Sequence, residues 1–264
     1  MTDSSNRSFI RPAKVILLVL LALLVYGVAL VVWLPAGWVW ARASSHVQLP
    51  SGVSVQQVSG TLWNGAARLD VQRKPVRVDW QLAWPDVIEL RQPVALSLET
   101  VSSRVDGNLR LGWPGSLVAD LFGRLHVPEF ADVIRQSGGA LLEGDVIIDR
   151  LRVTITDRSL DSAAGLARWP GGNVSWPMGD RRQSAVFPPM QATLTDSTSG
   201  LLLRISEQGK AEPVAEAGLT FNGMMDIRVY KRMVDMAGQS WSGAAQPGDV
   251  IFQVQQPILP GGRF

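Results

Sequence analysis

The chain has 264 residues, of which 46% are hydrophobic, and it carries a formal net charge of only +2 at pH 7. So small a charge gives no indication of nucleic-acid binding, which typically needs Lys and Arg clustered over one face of a domain. The absence of cysteine excludes thiol catalysis, zinc–thiolate sites, iron–sulfur clusters and disulfides.

A stretch dominated by Leu, Val and Ala, with no charged residue, runs over residues 15–34. About 20 such residues predict a transmembrane helix, because that length crosses the hydrocarbon core of a bilayer and a helix satisfies its own backbone. Arg7, Arg11 and Lys14 precede the stretch, whereas only Arg42 follows closely. This asymmetry predicts a cytoplasmic N-terminus, with the bulk of the chain on the other side of the membrane.

A cleaved signal peptide is the alternative interpretation of the same stretch. Ala41-Arg42-Ala43 resembles a small-residue cleavage site. The apolar core of a signal peptide runs for about 7–15 residues, however, and the longer stretch here favours an uncleaved anchor. Trp33, Trp38 and Trp40 would then lie at the outer membrane interface.

The chain is therefore predicted to consist of five segments. They are a cytoplasmic tail (1–14), a transmembrane helix (15–34), a juxtamembrane linker (35–52), a periplasmic β-rich domain (53–258) and a loose C-terminal tail (259–264). A cysteine-free domain outside the cytoplasm is more typical of a bacterial envelope protein than of a eukaryotic secreted one.

From Val53 onward apolar residues alternate with a period of two, as in a strand with one buried face. The sequence Gly60-Thr61-Leu62-Trp63-Asn64-Gly65 follows, and Asn-Gly favours a type I′ hairpin turn with positive φ at both residues. Such a turn pairs Trp63 with Ala66 and Val58 with Val71. It gathers these side chains on one face: Val58, Leu62, Ala67, Leu69 and Val71.

Further alternating strands are predicted at 76–84, 94–98 and 109–113. A Trp-Pro pair recurs at Trp84-Pro85, Trp113-Pro114, Trp169-Pro170 and Trp176-Pro177. We interpret each Trp as the last inward residue of a strand, which Pro then ends because it cannot donate a ladder hydrogen bond. The alternative is a set of tryptophans that stack on carbohydrate or lipid.

Residues 116–136 are predicted to form a helical insert. Apolar residues recur at helical spacing over 117–125 after Ser116, a residue type favoured at helix N-caps. Pro128 would open a second short helix with Phe130, Val133 and Ile134 facing inward, and Gly138 would end it.

The rest of the chain predicts strands separated by one long loop. The strands are expected at 146–148, 151–155, 191–195, 201–205, 219–221, 227–230 and 250–254, with a short helix at 231–236. The Gly-, Pro- and Ser-rich residues 157–190 are expected to be mostly loop. The fold class is therefore mainly β: an N-terminal transmembrane helix followed by a curved, largely antiparallel sheet with a short helical insert. An open sheet is favoured over a closed barrel.

A search for reactive residues predicts no catalytic, cofactor-binding or metal-binding site and hence no enzyme. His46 and His126 are isolated and lack the spacing of metal ligands. The segment 238–243 departs by one residue from the G-x-S-x-G pattern of serine hydrolases. Asp145 and Asp149 share one side of a strand but are expected to be solvated rather than a glycosidase pair.

Several of these segments together resemble the type II secretion system protein N family, the N components of the general secretion pathway. They are the short basic tail with one apolar segment, the Gly60–Gly65 sequence, the repeated Leu-x-Trp-Pro strand ends, the stretch 138–144 and the residues 249–252. The resemblance covers nearly the whole chain, although a G-x-L-W-x-G hairpin also occurs in AsmA-like envelope proteins. If one functional surface had to be chosen, it would be Trp63, Asn64 and Gly65, with a structural role expected.

This resemblance implies an accessory, non-catalytic scaffold in the inner membrane that supports export of folded periplasmic proteins across the outer membrane. The implied partners are other type II secretion components, either the inner-membrane platform or the secretin, with no nucleic acid and no small-molecule substrate. Two alternatives stay open. One is an AsmA-like protein that holds lipid in an apolar groove, and the other is a periplasmic hydrolase or glycan-binding domain.

Overall fold

A computed structural model describes residues 12–46, 49, 52–84, 91–112, 115–136, 139–157, 159–178, 181–221 and 223–257. Several predicted features lie outside these ranges. They are residues 1–11 of the N-terminal tail, Pro85, the pair Trp113-Pro114, Gly138 and the tail 259–264.

Two helices precede the sheets: α1 (Pro12–Val32) and α2 (Ala36–Ala43). The helix predicted at 15–34 is therefore confirmed as a helix, and it ends before Pro35, since the residue preceding a proline disfavours helical geometry. Within the described part of the chain, no helix combines the length and the hydropathy needed to cross a membrane. The predicted transmembrane span accordingly lacks support from the structure.

The rest of the chain is mainly strand. In chain order the strands are β1 (Val53–Gly60), β2 (Asn64–Val71), β3 (Lys74–Leu82), β4 (Arg91–Glu99), β5 (Arg104–Gly112), β6 (Ser116–His126), β7 (Leu141–Leu142), β8 (Asp145–Thr156), β9 (Ser159–Trp169), β10 (Gly172–Met178), β11 (Arg181–Phe187), β12 (Met190–Ser197), β13 (Gly200–Glu207), β14 (Pro213–Thr220), β15 (Met224–Tyr230) and β16 (Val250–Pro257). The remaining helices are a 3₁₀ turn (Val127–Phe130), α3 (Ala131–Gln136) and α4 (Lys231–Met236).

The strands form two antiparallel sheets. The large sheet has thirteen strands in the order β1-β2-β3-β4-β5-β6-β8-β9-β12-β13-β14-β15-β16, and the small sheet has the order β11-β10-β7. Because β1 and β16 lie at opposite ends of the large sheet, that sheet is open. The prediction of a mainly β, antiparallel and open fold is confirmed.

The most buried core lies where the small sheet and α4 pack against the large sheet. It is centred on Trp169, Phe187, Met190 and Val214, and Val214 has no exposed surface. The Trp169 indole N–H donates to the carbonyl of Glu143 at 2.8 Å, which satisfies the polar edge of this buried ring. Trp169 ends β9 and precedes Pro170, as predicted.

The predicted register of the first hairpin is wrong. Asn64 and Gly65 begin β2 and have no positive φ, the turn is made by residues 61–63, and Val58 pairs with Ala67 instead of Val71. The pairing thus differs by four residues from the predicted one. An even shift leaves every side chain on its face, so the apolar pattern is equally compatible with both registers.

The helix predicted over 117–125 is wrong as well, because β6 occupies these residues. Leu117, Ala119, Leu121 and Leu125 alternate on one face of the strand. The apolar residues Val118 and Phe122 point to the opposite face. Together with the first set they produced the spacing that had suggested a helix. The second predicted helix, after Pro128, is confirmed by the 3₁₀ turn and α3, but Val133, expected to face inward, is 38% exposed.

Three strands occupy the region 157–190 that was predicted to be mostly loop, namely β9, β10 and β11. Pro177 lies inside β10 and does not end it, because β7 pairs only with Val174 and Ser175 and leaves β10 at an edge there. Trp84 is likewise not the end of a strand, since β3 stops at Leu82. The strands at 191–195, 201–205, 227–230 and 250–254 and the helix at 231–236 are confirmed. The strand predicted at 219–221 is instead the end of β14, which begins at Pro213 and stops at Thr220.

Candidate functional site: the apolar face and its junction with the helices

The Gly60–Gly65 sequence forms a junction between the N-terminal helices and the large sheet. The backbone N–H of Leu62 donates to the carbonyl of Leu34 at 3.0 Å, and Pro35 forms an isolated bridge with Thr61. The Trp80 indole N–H then donates to the carbonyl of Leu62 at 3.0 Å. These bonds tie the connection between α1 and α2 to the turn between β1 and β2.

Two tryptophans flank this junction. Trp63 stacks on Trp84 with ring centroids 5.5 Å apart, and its carbonyl accepts a hydrogen bond from the Leu82 N–H at 2.7 Å. These contacts hold Trp63 against the end of β3, and the structural role of Trp63, Asn64 and Gly65 stays a prediction.

One face of the large sheet, here called the apolar face, carries no polar side chain along two complete rows of paired residues. The first row is Val58, Ala67, Val78, Leu98, Val105, Gly123, Ile148, Ala167, Ala192, Ile205, Ala215, Val229 and Phe252. The second row is Gly60, Gly65, Trp80, Leu96, Gly107, Leu121, Leu151, Gly165, Leu194, Leu203, Ala217, Ile227 and Val254. Because opposed residues in antiparallel strands share a face, both rows run uninterrupted across all thirteen strands.

Most of these side chains are half-buried rather than buried. Each therefore packs against its neighbours in the rows and keeps part of its surface open. Near the small sheet the same face borders an apolar cavity of about 310 Å³. Its lining includes Leu142, Val146, Trp169, Phe187 and Ile205.

The opposite face, here called the polar face, is charged. The row adjacent to the first apolar row reads Gln57, Arg68, Arg77, Glu99, Arg104, Arg124, Ile147, Arg168, Gln191 and Ser206. Successive side chains point to opposite faces of a strand, so this row lies behind the apolar one.

Arginines pair with the carboxylates of the polar face. Asp120 accepts hydrogen bonds from Arg152 at 2.5 Å and Arg110 at 2.8 Å. The hydrogen bond from Arg152 is the main cause that holds the pKa of Asp120 below its usual value. Asp149 pairs in the same way with Arg168, which lowers the pKa of that carboxyl. Such carboxylates stay ionised at neutral pH and are poor general acids.

The residues that the sequence singled out for chemistry do not come together. His126 Nδ1 lies 2.7 Å from Asp145, whereas His46 contacts the hydroxyl of Ser45 in the segment after α2. Asp145 lies 3.7 Å from the Arg124 guanidinium, whereas Asp149 pairs with Arg168, so the two carboxylates have separate partners. Ser240 and Ser242 are exposed in the connection from α4 to β16, which is not a strand-to-helix turn. Over the described ranges, no group of three His, Cys, Asp or Glu side chains is arranged to hold a metal ion.

The carboxylate of Glu129 links two turns of the chain through hydrogen bonds, a contact that sequence reasoning missed. Its carboxylate accepts hydrogen bonds from the hydroxyls of Thr100 and Ser103, at 2.6 and 2.7 Å, and from the N–H of Val101 at 3.1 Å. The 3₁₀ turn is thereby fixed to the β4–β5 turn. Burial acts to raise the pKa of Glu129, but these hydrogen bonds outweigh it and hold the pKa below its usual value.

Replacing Glu129 with Gln is expected to destabilise the chain by about 1–2 kcal/mol at pH 7, because hydrogen bonds to the charged group are lost. A depressed carboxyl pKa contributes stability above the unfolded value of about 4.3, and this contribution disappears as the pH falls through the folded value. The difference between the wild type and E129Q should therefore shrink below about pH 4. The melting temperatures of the wild type and E129Q at pH 7 and pH 3.5 measure this difference.

The exposed Glu212 provides the control, since Glu212→Gln should leave the melting temperature unchanged at both pH values. A stability difference between the wild type and E129Q that is the same at pH 7 and pH 3.5 would contradict the stabilising role of the ionised Glu129 carboxylate.

The sequence model of one protein family, described as protein N of the type II secretion system, matches residues 51–250. Separate searches of curated proteins and of solved structures gave no significant match. The family match runs from just before β1 to the start of β16 and so covers most of the chain. Family membership implies an envelope-associated component that interacts with other type II secretion components. The chain therefore belongs to the type II secretion system protein N family, and its role lies in type II secretion.

Proposed function

We propose that this protein is an accessory, non-catalytic scaffold of the type II secretion machinery that supports export of folded periplasmic proteins across the outer membrane. The observation that carries the proposal is the junction at Leu62. There the connection that follows the apolar N-terminal helix is hydrogen-bonded to the β1–β2 turn of the family's β-rich region. A sheet fixed to an anchor in this way presents its edges and faces to partners at a constant position.

The anchor is the inner-membrane helix over residues 15–34, with residues 1–14 in the cytoplasm and the β-rich domain 53–258 in the periplasm. Supporting this, residues 15–34 contain no charge and the side chains of Leu18, Leu24 and Tyr26 are each more than 60% exposed on α1. Apolar side chains left open along a helix favour burial in lipid. The basic residues before the helix set the orientation.

The non-catalytic part of the proposal is supported by the polar face. Its carboxylates at Asp106, Asp120 and Asp149 are committed to arginine partners, which lower their pKa values. The two histidines are separated in the fold. Catalytic acids and bases instead need pKa values close to the working pH.

In-cell photo-crosslinking tests the scaffold. Photoreactive residues are placed at Val101 and Val186, which are 80% and 74% exposed, in cells with and without the other type II secretion components. The expected result is adducts to platform or secretin proteins, together with a loss of secretion when the chain is deleted. Recovery of the chain without adducts, with secretion intact after deletion, would contradict the proposal.

The uninterrupted rows of the apolar face favour a second candidate function, the holding of lipid acyl chains. A hydrocarbon chain needs no hydrogen-bond partners, and the one side-chain donor in these rows, the Trp80 indole N–H, is already bonded to Leu62. The cavity of about 310 Å³, where β8, β9, β12 and β13 meet the small sheet, adds an apolar pocket. Burial of apolar surface would stabilise such a complex by about 25 cal/mol per Å².

Native mass spectrometry of the purified full-length protein tests this second candidate. The wild type is expected to retain phospholipid, and Leu121→Glu should reduce it about tenfold or more because a carboxylate is costly against hydrocarbon. The matched control is Phe122→Glu, since Phe122 is the next residue, lies on the polar face and is 46% exposed. Wild-type protein free of lipid, or equal lipid in folded samples of both variants, would exclude lipid from the apolar face.

A further inference from the structure

The strand β16 ends the large sheet at the side opposite the N-terminal helices. It pairs with β15 from Met224 and Pro257 to Tyr230 and Val250. Among the described residues, no second strand pairs with the outer side of β16. Its outward backbone N–H and C=O groups therefore form an open ladder edge, which is a template for another strand.

The middle of this edge lacks the usual protection. Proteins normally place Lys, Pro, inward-pointing charges, a bulge or a covering element at a free edge. The eight residues Val250–Pro257 contain no charged residue, and their bulge and their proline lie at the two ends of the strand, at the register shift between Val250 and Phe252 and at Pro257. The other end of the sheet, β1, is also uncharged, but α2 packs beside it, and a side chain added at Gly37 would meet the carbonyl of Val58 at 3.2 Å. The chain therefore covers one edge and leaves the other open.

The side chains of β16 define what an added strand must present. The apolar rows end at Phe252 and Val254, and Phe252 is 55% exposed. On the polar face, Gln253 donates to Asp226 at 2.8 Å. A further strand that alternates apolar and polar residues would continue both faces, because side chains alternate along a strand.

We propose that β16 is a docking edge that accepts an extended segment of a different protein, with alternating apolar and polar side chains, as the fourteenth strand of the sheet. Backbone hydrogen bonds would hold the segment, and the alternating side chains would select it.

The partner's identity as a different protein rests on the proposed anchoring of α1. Twelve strand spacings of about 4.8 Å place β16 some 58 Å along the sheet from the junction with α1, so the edge is remote from the anchor. A second copy joined edge to edge through β16 would hold its own helices at the far end of a doubled sheet. Because the strands of this sheet pair antiparallel, that copy would be turned end for end, with its junction at the opposite strand end, so a membrane at one strand end would hold only one of the two anchors.

Photo-crosslinking in cells, with photoreactive residues at Phe252 or at Gln256 of the full-length chain, tests the proposal. Both positions are exposed on the apolar side of β16. The expected adducts join both positions to one partner protein, at two partner residues four positions apart. That spacing is expected of an extended segment lying in register. A probe at Leu98, in the same apolar row on an interior strand, should give at most a tenth of the adduct.

A matched pair of charge substitutions completes the test. Phe252→Lys, read with the probe at Gln256, should reduce the adduct at least tenfold, since an added Lys on an edge strand blocks pairing. Phe221→Lys, at a similarly exposed Phe (48%) in the turn after β14, should leave the adduct unchanged.

Four outcomes would overturn the docking edge. They are no adduct at β16, an adduct that joins two copies of this chain, partner residues without the four-residue spacing, or an adduct equally strong at Leu98. In cells lacking the other secretion components, adducts at two partner residues four positions apart would still support β16 as a docking edge. In that case only the assignment of the partner to the secretion machinery would fail.

Discussion

Replacing Trp169 with Ala is expected to lower the free energy of unfolding by about 3–5 kcal/mol, the typical loss for a large aromatic residue in a core. Trp169 is only 4% exposed and packs with Phe187, Met190 and Val214 between the two sheets. Its removal leaves a cavity and also deprives the Glu143 carbonyl of its 2.8 Å hydrogen bond. Urea unfolding of the full-length protein, followed by far-ultraviolet circular dichroism, measures the loss.

Trp241 is the matched control, because it is 43% exposed in the connection between α4 and β16. Trp241→Ala should change the unfolding free energy by no more than about 0.5 kcal/mol. A loss below about 1 kcal/mol for Trp169→Ala would contradict the view that this residue holds the small sheet against the large one.

Replacing Gly65 with Ala is expected to destabilise the protein by about 1–3 kcal/mol through overpacking. A Cβ atom at Gly65 would overlap the ring of Trp80 and lie 2.8 Å from the Ser59 carbonyl. The Trp80 ring cannot easily move aside, since its indole N–H is hydrogen-bonded to the carbonyl of Leu62 at the junction. The backbone of Gly65 needs no positive φ, so the cost is steric.

Gly218 provides the control on an interior strand. A Cβ atom there would meet nothing nearer than the Asp226 carbonyl at 3.9 Å, so Gly218→Ala should be neutral or slightly stabilising. Melting temperatures of both variants give the comparison. In cells, G65A should also weaken secretion if the junction transmits the position of the anchor. Equal melting temperatures for the wild type and G65A would show that Trp80 can move aside.

The sequence predicted much of the large sheet because side chains alternate along a strand. The alternation of Val94, Leu96 and Leu98 located β4, and that of Leu151, Val153 and Ile155 located the second half of β8. The amphipathic division into an apolar and a polar face follows from the same period of two. The short helix at 231–236 and the open antiparallel architecture also agreed with the structure.

The prediction of secondary structure failed where one pattern of residues is compatible with two structures. In β6, Val118 and Phe122 lie on the polar face and gave the strand a helical spacing. In β9, the residues Ala163, Ala164 and Gly165 have low strand preference on their own, but the strand is held between β8 and β12. Burial against neighbours that are distant in sequence overrides such local preferences.

The sequence by itself determined the charge-free N-terminal segment, the positions of many strands, the face to which the side chains of those strands point and the resemblance to the protein N family. Only the tertiary structure decided the register at Gly60–Gly65, the packing of the small sheet on Trp169 and the difference between the covered edge at β1 and the open edge at β16. The physical reason is the range of the interactions. Alternation is a property of a single strand, whereas register, sheet packing and edge protection depend on contacts between segments that are far apart in the chain.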